Sequence, residues 1–153
     1  MMRNGQVAVL LPMLAGAVVT LCTILIHSVV LGVSVRLFRH EMKLGLVGPR
    51  VWINLAIFVL AISFVFVAHL FEIALWAALF VICGEFKSPS LAYYHSAVNY
   101  TTLGYGDLIM SPSWKLLGPL EAADGALMFG VSTAMIFTIA QRLIHARFSD
   151  LEE

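Results

Sequence analysis

The stretch SAVNYTTLGYGDLIM, residues 96–110, lies between two long apolar runs and shares the character of neither. It sets Gly104 and Gly106 on either side of Tyr105, with Thr101 and Thr102 before them and Asp107 after. Irregular backbone at membrane depth persists only where protein buries it or water wets it, because a carbonyl left unpaired in hydrocarbon costs several kcal/mol. If the flanking runs cross a membrane, this segment must therefore face something polar.

The runs are of that kind. The chain of 153 residues is 61% hydrophobic and 12% charged, against roughly 25% charged in an average soluble domain. Its mean hydropathy is +0.95. Nine basic and nine acidic residues cancel, so no overall positive field recruits nucleic acid. Cys22 and Cys83 lie far apart in apolar sequence, without metal-ligand spacing or a disulfide framework, and read as small packing residues. Nothing matches a nucleophile with its base, a metal cluster, a phosphate loop or a dinucleotide fingerprint, so neither an enzyme nor a cofactor is expected.

Val7 to Val35 contains no Asp, Glu, Lys or Arg. At 1.5 Å per residue about 20 residues cross the hydrocarbon, so this run spans with length to spare. It is too long for the core of a cleaved signal peptide, about 7 to 15 residues. Arg36, Arg39, His40, Lys43 and Arg50 then cluster in a connection that also carries Gly45, Gly48 and Pro49. An excess of cations marks a cytoplasmic loop. A second run, Val51 to Cys83, is broken only by Asn54, Ser63, His69 and Glu72; either it tilts or its last turns around Trp76 project beyond the headgroups. Ser88 and Pro89 predict an N-cap and first residue for a short helix from Pro89 to about Tyr100, too short to span. A last run, Leu116 to Ala140, holds Glu121 and Asp124 in its first turns and is followed by Gln141, Arg142, His145 and Arg147. The expected fold is an all-α membrane protein: three transmembrane helices plus a re-entrant helix and loop. The N-terminus lies outside and the C-terminus in the cytoplasm. Residues 1–50 form a first helix and basic loop, 51–143 a second region with the other helices and the glycine-bearing loop, and 144–153 a short tail.

Glycine accepts positive φ without steric cost, and permissive residues at alternate positions let successive carbonyls point to one side. With its outer helix, short helix ending at Thr101 and Thr102, LGYGD, and a last helix carrying GALMFG, the segment from Val51 to Leu143 resembles the pore module of the potassium channel superfamily, of the small bacterial kind with two core helices. That resemblance implies a homotetramer, because one strand cannot surround an ion. Thr102, Leu103, Gly104, Tyr105 and Gly106 would form the selectivity filter, with the carbonyls of Thr102 to Tyr105 replacing the hydration shell of K+. Thr101 would support the filter, and Asp107 would bond an aromatic of the short helix, with Tyr94 the nearest match. Gly125 and Gly130 resemble the family's hinge and close-packing glycines. Leu103 stands where Val is commoner, Val98 where some members keep a buried Glu, and Tyr94 with His95 where others have two Trp.

Ionisable residues within spans are functional candidates. His69 and Glu72 share a helix face at i, i+3, as do Glu121 and Asp124. They suggest a polar clamp between helices, with His69 bridging to Glu121 or Asp124; the alternative is that all four meet water at the headgroups. His27 reads as a packed or interfacial histidine, and Met128 and Met135 as apolar filler. Without an arginine at every third position the first helix has no gating-charge pattern. Arg36, Arg39, Lys43 and Arg50 are suited to anionic lipid headgroups. The expected function is passive K+ conduction; the alternatives are a weakly selective cation channel or a non-conducting regulatory subunit.

Overall fold

A computed structural model describes residues 8–43 and 51–149 of the chain. Four helices account for most of them: α1 (Leu10–Lys43), α2 (Val51–Ile82), α3 (Pro89–Tyr100) and α4 (Leu117–Ser149). There is no strand among the described residues. Three stretches, Leu10–His40, Val51–Ile82 and Leu117–His145, are long and apolar enough to cross a membrane. Leu10, Leu14, Leu21 and Leu25 on α1 and Leu60, Phe66 and Phe71 on α2 all lie exposed. A helix that is apolar around so much of its circumference suits lipid and would be insoluble in water.

The helix starts follow local chemistry. Pro12 and Pro119 fall in the first turns of α1 and α4, and Pro89 opens α3; there the missing N–H would have had no intrahelical partner. Ser88 occupies the N-cap position with extended backbone (φ −98°, ψ 120°), but its side chain makes no capping bond. Its Oγ lies 2.8 Å from Ser90 Oγ instead, so the cap expected of it is positional only.

The helix ends differ from expectation. α1 continues through Arg36 and Arg39 to Lys43, so those two basic residues lie on a helix and not in a connection. Charged residues with good helix propensity do not stop a helix, and Phe38, buried in this extension, keeps the packing going. Arg50 lies outside the described residues, as does the Lys43 side chain. α4 likewise runs past Gln141 and Arg142 to Ser149.

The chain divides into two compact units, Met1–Leu25 with Leu70–Met128, and Ile26–His69 with Phe129–Glu153. In the first, Trp76, Phe80, Tyr100 and Leu117 are wholly buried in a core shared with Val19, Ile73, Ala92, Met110 and Met128. Burying such large side chains contributes about 1.5–3 kcal/mol each. In the second, Phe38, Val65, Met135, Ile139 and Leu143 form the core. Trp76 is therefore not a free end but an anchor of this core. Cys22 is exposed and only Cys83 is partly packed, which corrects the reading of both as packing residues.

Candidate functional site

The first unit presents residues 101–107 at the end of α3. The last carbonyls of a helix lack intrahelical partners, and here the departing chain supplies them. Thr101 N–H donates to Ala97 O at 3.1 Å, and Thr102 N–H to Asn99 O at 2.8 Å. Leu103 and Gly104 both donate to Val98 O, at 3.0 and 3.2 Å. Two successive N–H groups converging on one oxygen form a nest, which arises when left- and right-handed residues alternate. The dihedrals agree: φ is +60° at Thr102, +61° at Gly104 and +72° at Gly106. The N–H groups of Thr102, Leu103 and Gly104 turn to α3, and the carbonyls of Thr102 to Gly106 accept no backbone hydrogen bond among the described residues. Residues 101–107 are exposed throughout, Leu103 and Tyr105 by 56% and 67%.

Positive φ is cheap for glycine and costs a β-branched residue about 1–2 kcal/mol. Thr102 is the one non-glycine among the described residues that adopts it. Strain of this kind persists where the surroundings fix it, and the bonds of residues 102–104 to α3 do so. Thr101 Oγ1 donates to Ala97 O at 2.7 Å, so the first threonine finishes the helix while the second begins the irregular segment.

Beyond the glycines the structure brings Tyr94 and Asp107 together: the Tyr94 hydroxyl donates to Asp107 Oδ2 at 2.8 Å. That bond, with some burial, raises the phenol above its usual pKa and keeps it a donor. Glu85 accepts from both the backbone N–H (2.8 Å) and Oγ (2.6 Å) of Ser111, so the connection before α3 is strapped to the connection after it. His95 is buried among Phe80 and Phe86, with ring centroids 5.4 and 4.9 Å away. Burial lowers its pKa, and its Nε2 accepts from Asn99 Nδ2 at 2.9 Å. A Cβ added at Gly125 would fall on the Tyr100 carbonyl, whereas one at Gly130 would meet nothing within 4 Å. Gly125 is thus the close-packing glycine, and Gly130 stands open.

Glu72, Glu121 and Asp124 are buried in the first unit and do not meet water as headgroup residues would. Tyr100 Oη donates to Glu72 Oε2, and Ser96 Oγ bonds Glu121 Oε1. Burial, followed by the Glu72 carboxylate, pushes the Tyr100 phenol far above its usual pKa. Trp76 Nε1 donates to Asp124 Oδ2 at 2.8 Å, and Thr23 Oγ1 lies 3.0 and 2.9 Å from the two Asp124 oxygens. In the second unit Ser132 Oγ lies between His27 Nε2 at 2.9 Å and His69 Nε2 at 3.0 Å. Asp124 thus has a partner in Trp76 and His69 one in Ser132, and the expected tie of His69 with Glu121 or Asp124 stays a proposal. Sequence reasoning passed over Trp76, Tyr100, Ser96, Thr23 and Ser132 as partners. Spacing held a signal for two of them: Trp76 follows Glu72, and Tyr100 follows Ser96, by one turn on the same helix face.

Trp76→Phe keeps the ring and removes the donor to a buried carboxylate. Leaving such an acceptor short of a bond costs about 1–3 kcal/mol, so the thermal midpoint in detergent should fall by roughly 3–10 °C. An unchanged midpoint would mean that the indole bond contributes nothing.

Residues 54–142 match a family model described as an ion channel. No curated protein and no solved structure matches the chain.

Proposed function

Because the chain belongs to the ion channel family, whose model covers more than half of it, we propose that it conducts K+ passively down its electrochemical gradient, with residues 102–106 as the selectivity filter. The carrying observation is the alternation of positive φ at Thr102, Gly104 and Gly106. It goes with a run of carbonyls that accept no backbone hydrogen bond among the described residues, while the N–H groups of residues 102–104 are spent on α3. Stacked carbonyl oxygens can replace the water around a dehydrated potassium ion. One such run offers a single wall, so four copies of the chain complete the ring. The exposed side chains of Leu103, Tyr105 and Ile109 are then covered by neighbouring copies.

The protein is a multi-pass membrane protein, and its helices set the rest of the reading. Arg36 and Arg39, exposed on α1, together with Lys43 and Arg50, support a cytoplasmic position for that end of α1 and an affinity for anionic lipid. The C-terminus lies on the same side and the N-terminus outside. α3 then enters from the outer face, and its C-terminal end, carrying about half a negative charge, favours an approaching cation. No resident cofactor is part of this scheme; K+ is cargo.

Purified protein in planar bilayers under opposed K+ and Na+ gradients tests the reading. The reversal potential should follow the K+ gradient, and native mass spectrometry should give a mass of four chains. A reversal potential near zero would identify a weakly selective cation pore. An intact tetramer without current would identify a non-conducting subunit.

A further inference from the structure

Glu121 stands out among the buried acids of the first unit by its count of protons. Its Oε1 is within hydrogen-bond distance of Ser96 Oγ, and the same Ser96 Oγ lies 2.8 Å from the backbone carbonyl of Ile73. A serine hydroxyl has one proton to give, and a carbonyl can only accept. Ser96 cannot donate to both oxygens. An ionised Glu121 would take the only proton and leave the Ile73 oxygen facing the serine lone pairs.

The second oxygen points the same way. Oε2 is buried without a hydrogen bond, although the Asn99 amide, which gives one of its two N–H groups to His95 Nε2, lies near enough to act on Glu121. A carboxylate spreads its charge over both oxygens, and burying half a charge with no donor is far more costly than burying a neutral carbonyl. Asp124, one turn away, differs in receiving an N–H from Trp76, a donor that demands an acceptor. No described lysine, arginine or histidine pairs with Glu121.

We infer that Glu121 is a neutral carboxylic acid that donates its proton to Ser96 Oγ, while Ser96 donates to Ile73 O, and that this relay makes Glu121 a positioning residue for the α3 end that carries residues 102–106. The relay joins α4 to α3 and α3 to α2 within the first unit. Ser96 sits one turn before Tyr100, so a displaced relay would move the helix end from which the Val98 and Asn99 carbonyls hold the next segment. The link to conduction rests on the filter reading above; the protonation does not.

The test is an infrared difference measurement on purified protein, paired with Glu121→Gln and Glu121→Ala. Wild type at neutral pH should show a protonated-carboxyl stretch that E121Q lacks; the difference assigns it to this residue in the presence of Glu72 and Asp124. The Gln amide can donate to Ser96 in the acid's place, so E121Q should keep the wild-type thermal midpoint and current. E121A should lower the midpoint by about 3–10 °C. An unchanged carboxyl region in E121Q, or an E121Q as damaged as E121A, would overturn the inference. If the band is lost in E121Q but neither protein conducts, the protonation stands and the channel reading falls.

Discussion

Gly104→Ala should abolish K+-selective current while leaving folded, assembled protein in the membrane. Space is not the issue: a Cβ at Gly104 would meet no atom within 4 Å in its own chain. The constraint is φ of +61°, which costs an alanine about 1–2 kcal/mol. In a tetramer the cost recurs four times around one ring, roughly 4–8 kcal/mol in total. At 1.4 kcal/mol per factor of ten, the population holding all four carbonyls inward falls by roughly three to six powers of ten. Selective current should vanish in bilayer recordings while the thermal midpoint changes little. Unaltered selectivity in G104A would remove residues 102–106 from the conduction pathway. Thr102 tolerates a similar φ because the backbone bond to Asn99 O fixes it at the helix end; Gly104 lies farther out, sharing its acceptor with Leu103.

Gly125→Ala should fail at an earlier stage, in folding. The added methyl would occupy the space of the Tyr100 carbonyl oxygen, and a backbone carbonyl at a helix end cannot swing aside as a side chain can. Overpacking typically costs about 1–3 kcal/mol, and a clash with main chain lies at or beyond the upper end. The expected result is a sharp loss of monodisperse protein in size-exclusion chromatography, or a midpoint lowered by about 10 °C in whatever survives. Gly130→Ala is the control: with open space around it, it should fold like wild type. Should G125A purify normally with an unchanged midpoint, α4 does not pack against the end of α3 in this way.

The legible parts of the sequence were those governed by local chemistry. α3 spans Pro89–Tyr100 because a proline opens it and the Thr-Thr-Leu-Gly run closes it, and both signals lie within the segment. The positions of positive φ were readable at Gly104 and Gly106 from glycine's permissiveness, but not at Thr102, whose conformation is imposed by its bond to α3. The ends of α1 and α4 were misplaced because loss of hydropathy was taken for loss of helix, and arginine breaks the first without breaking the second. Partners of the buried acids were the least legible. Glu72 with Tyr100, Asp124 with Trp76 and Thr23, and Glu121 with Ser96 pair residues of different helices. Same-helix spacing says which residues share a face and nothing about what that face meets.

The Val98 oxygen receives two amides of the segment that follows α3, so fraying of that last turn and rotation of the Leu103 and Gly104 peptides are a single event. Thermal fluctuation has no local hinge there to exploit, and amide hydrogen exchange at 103 and 104 would track opening of the helix itself. A chain arranged this way acts as one cooperative block from Pro89 to Gly104, and any stimulus that reshapes residues 102–104 must do work against the whole block.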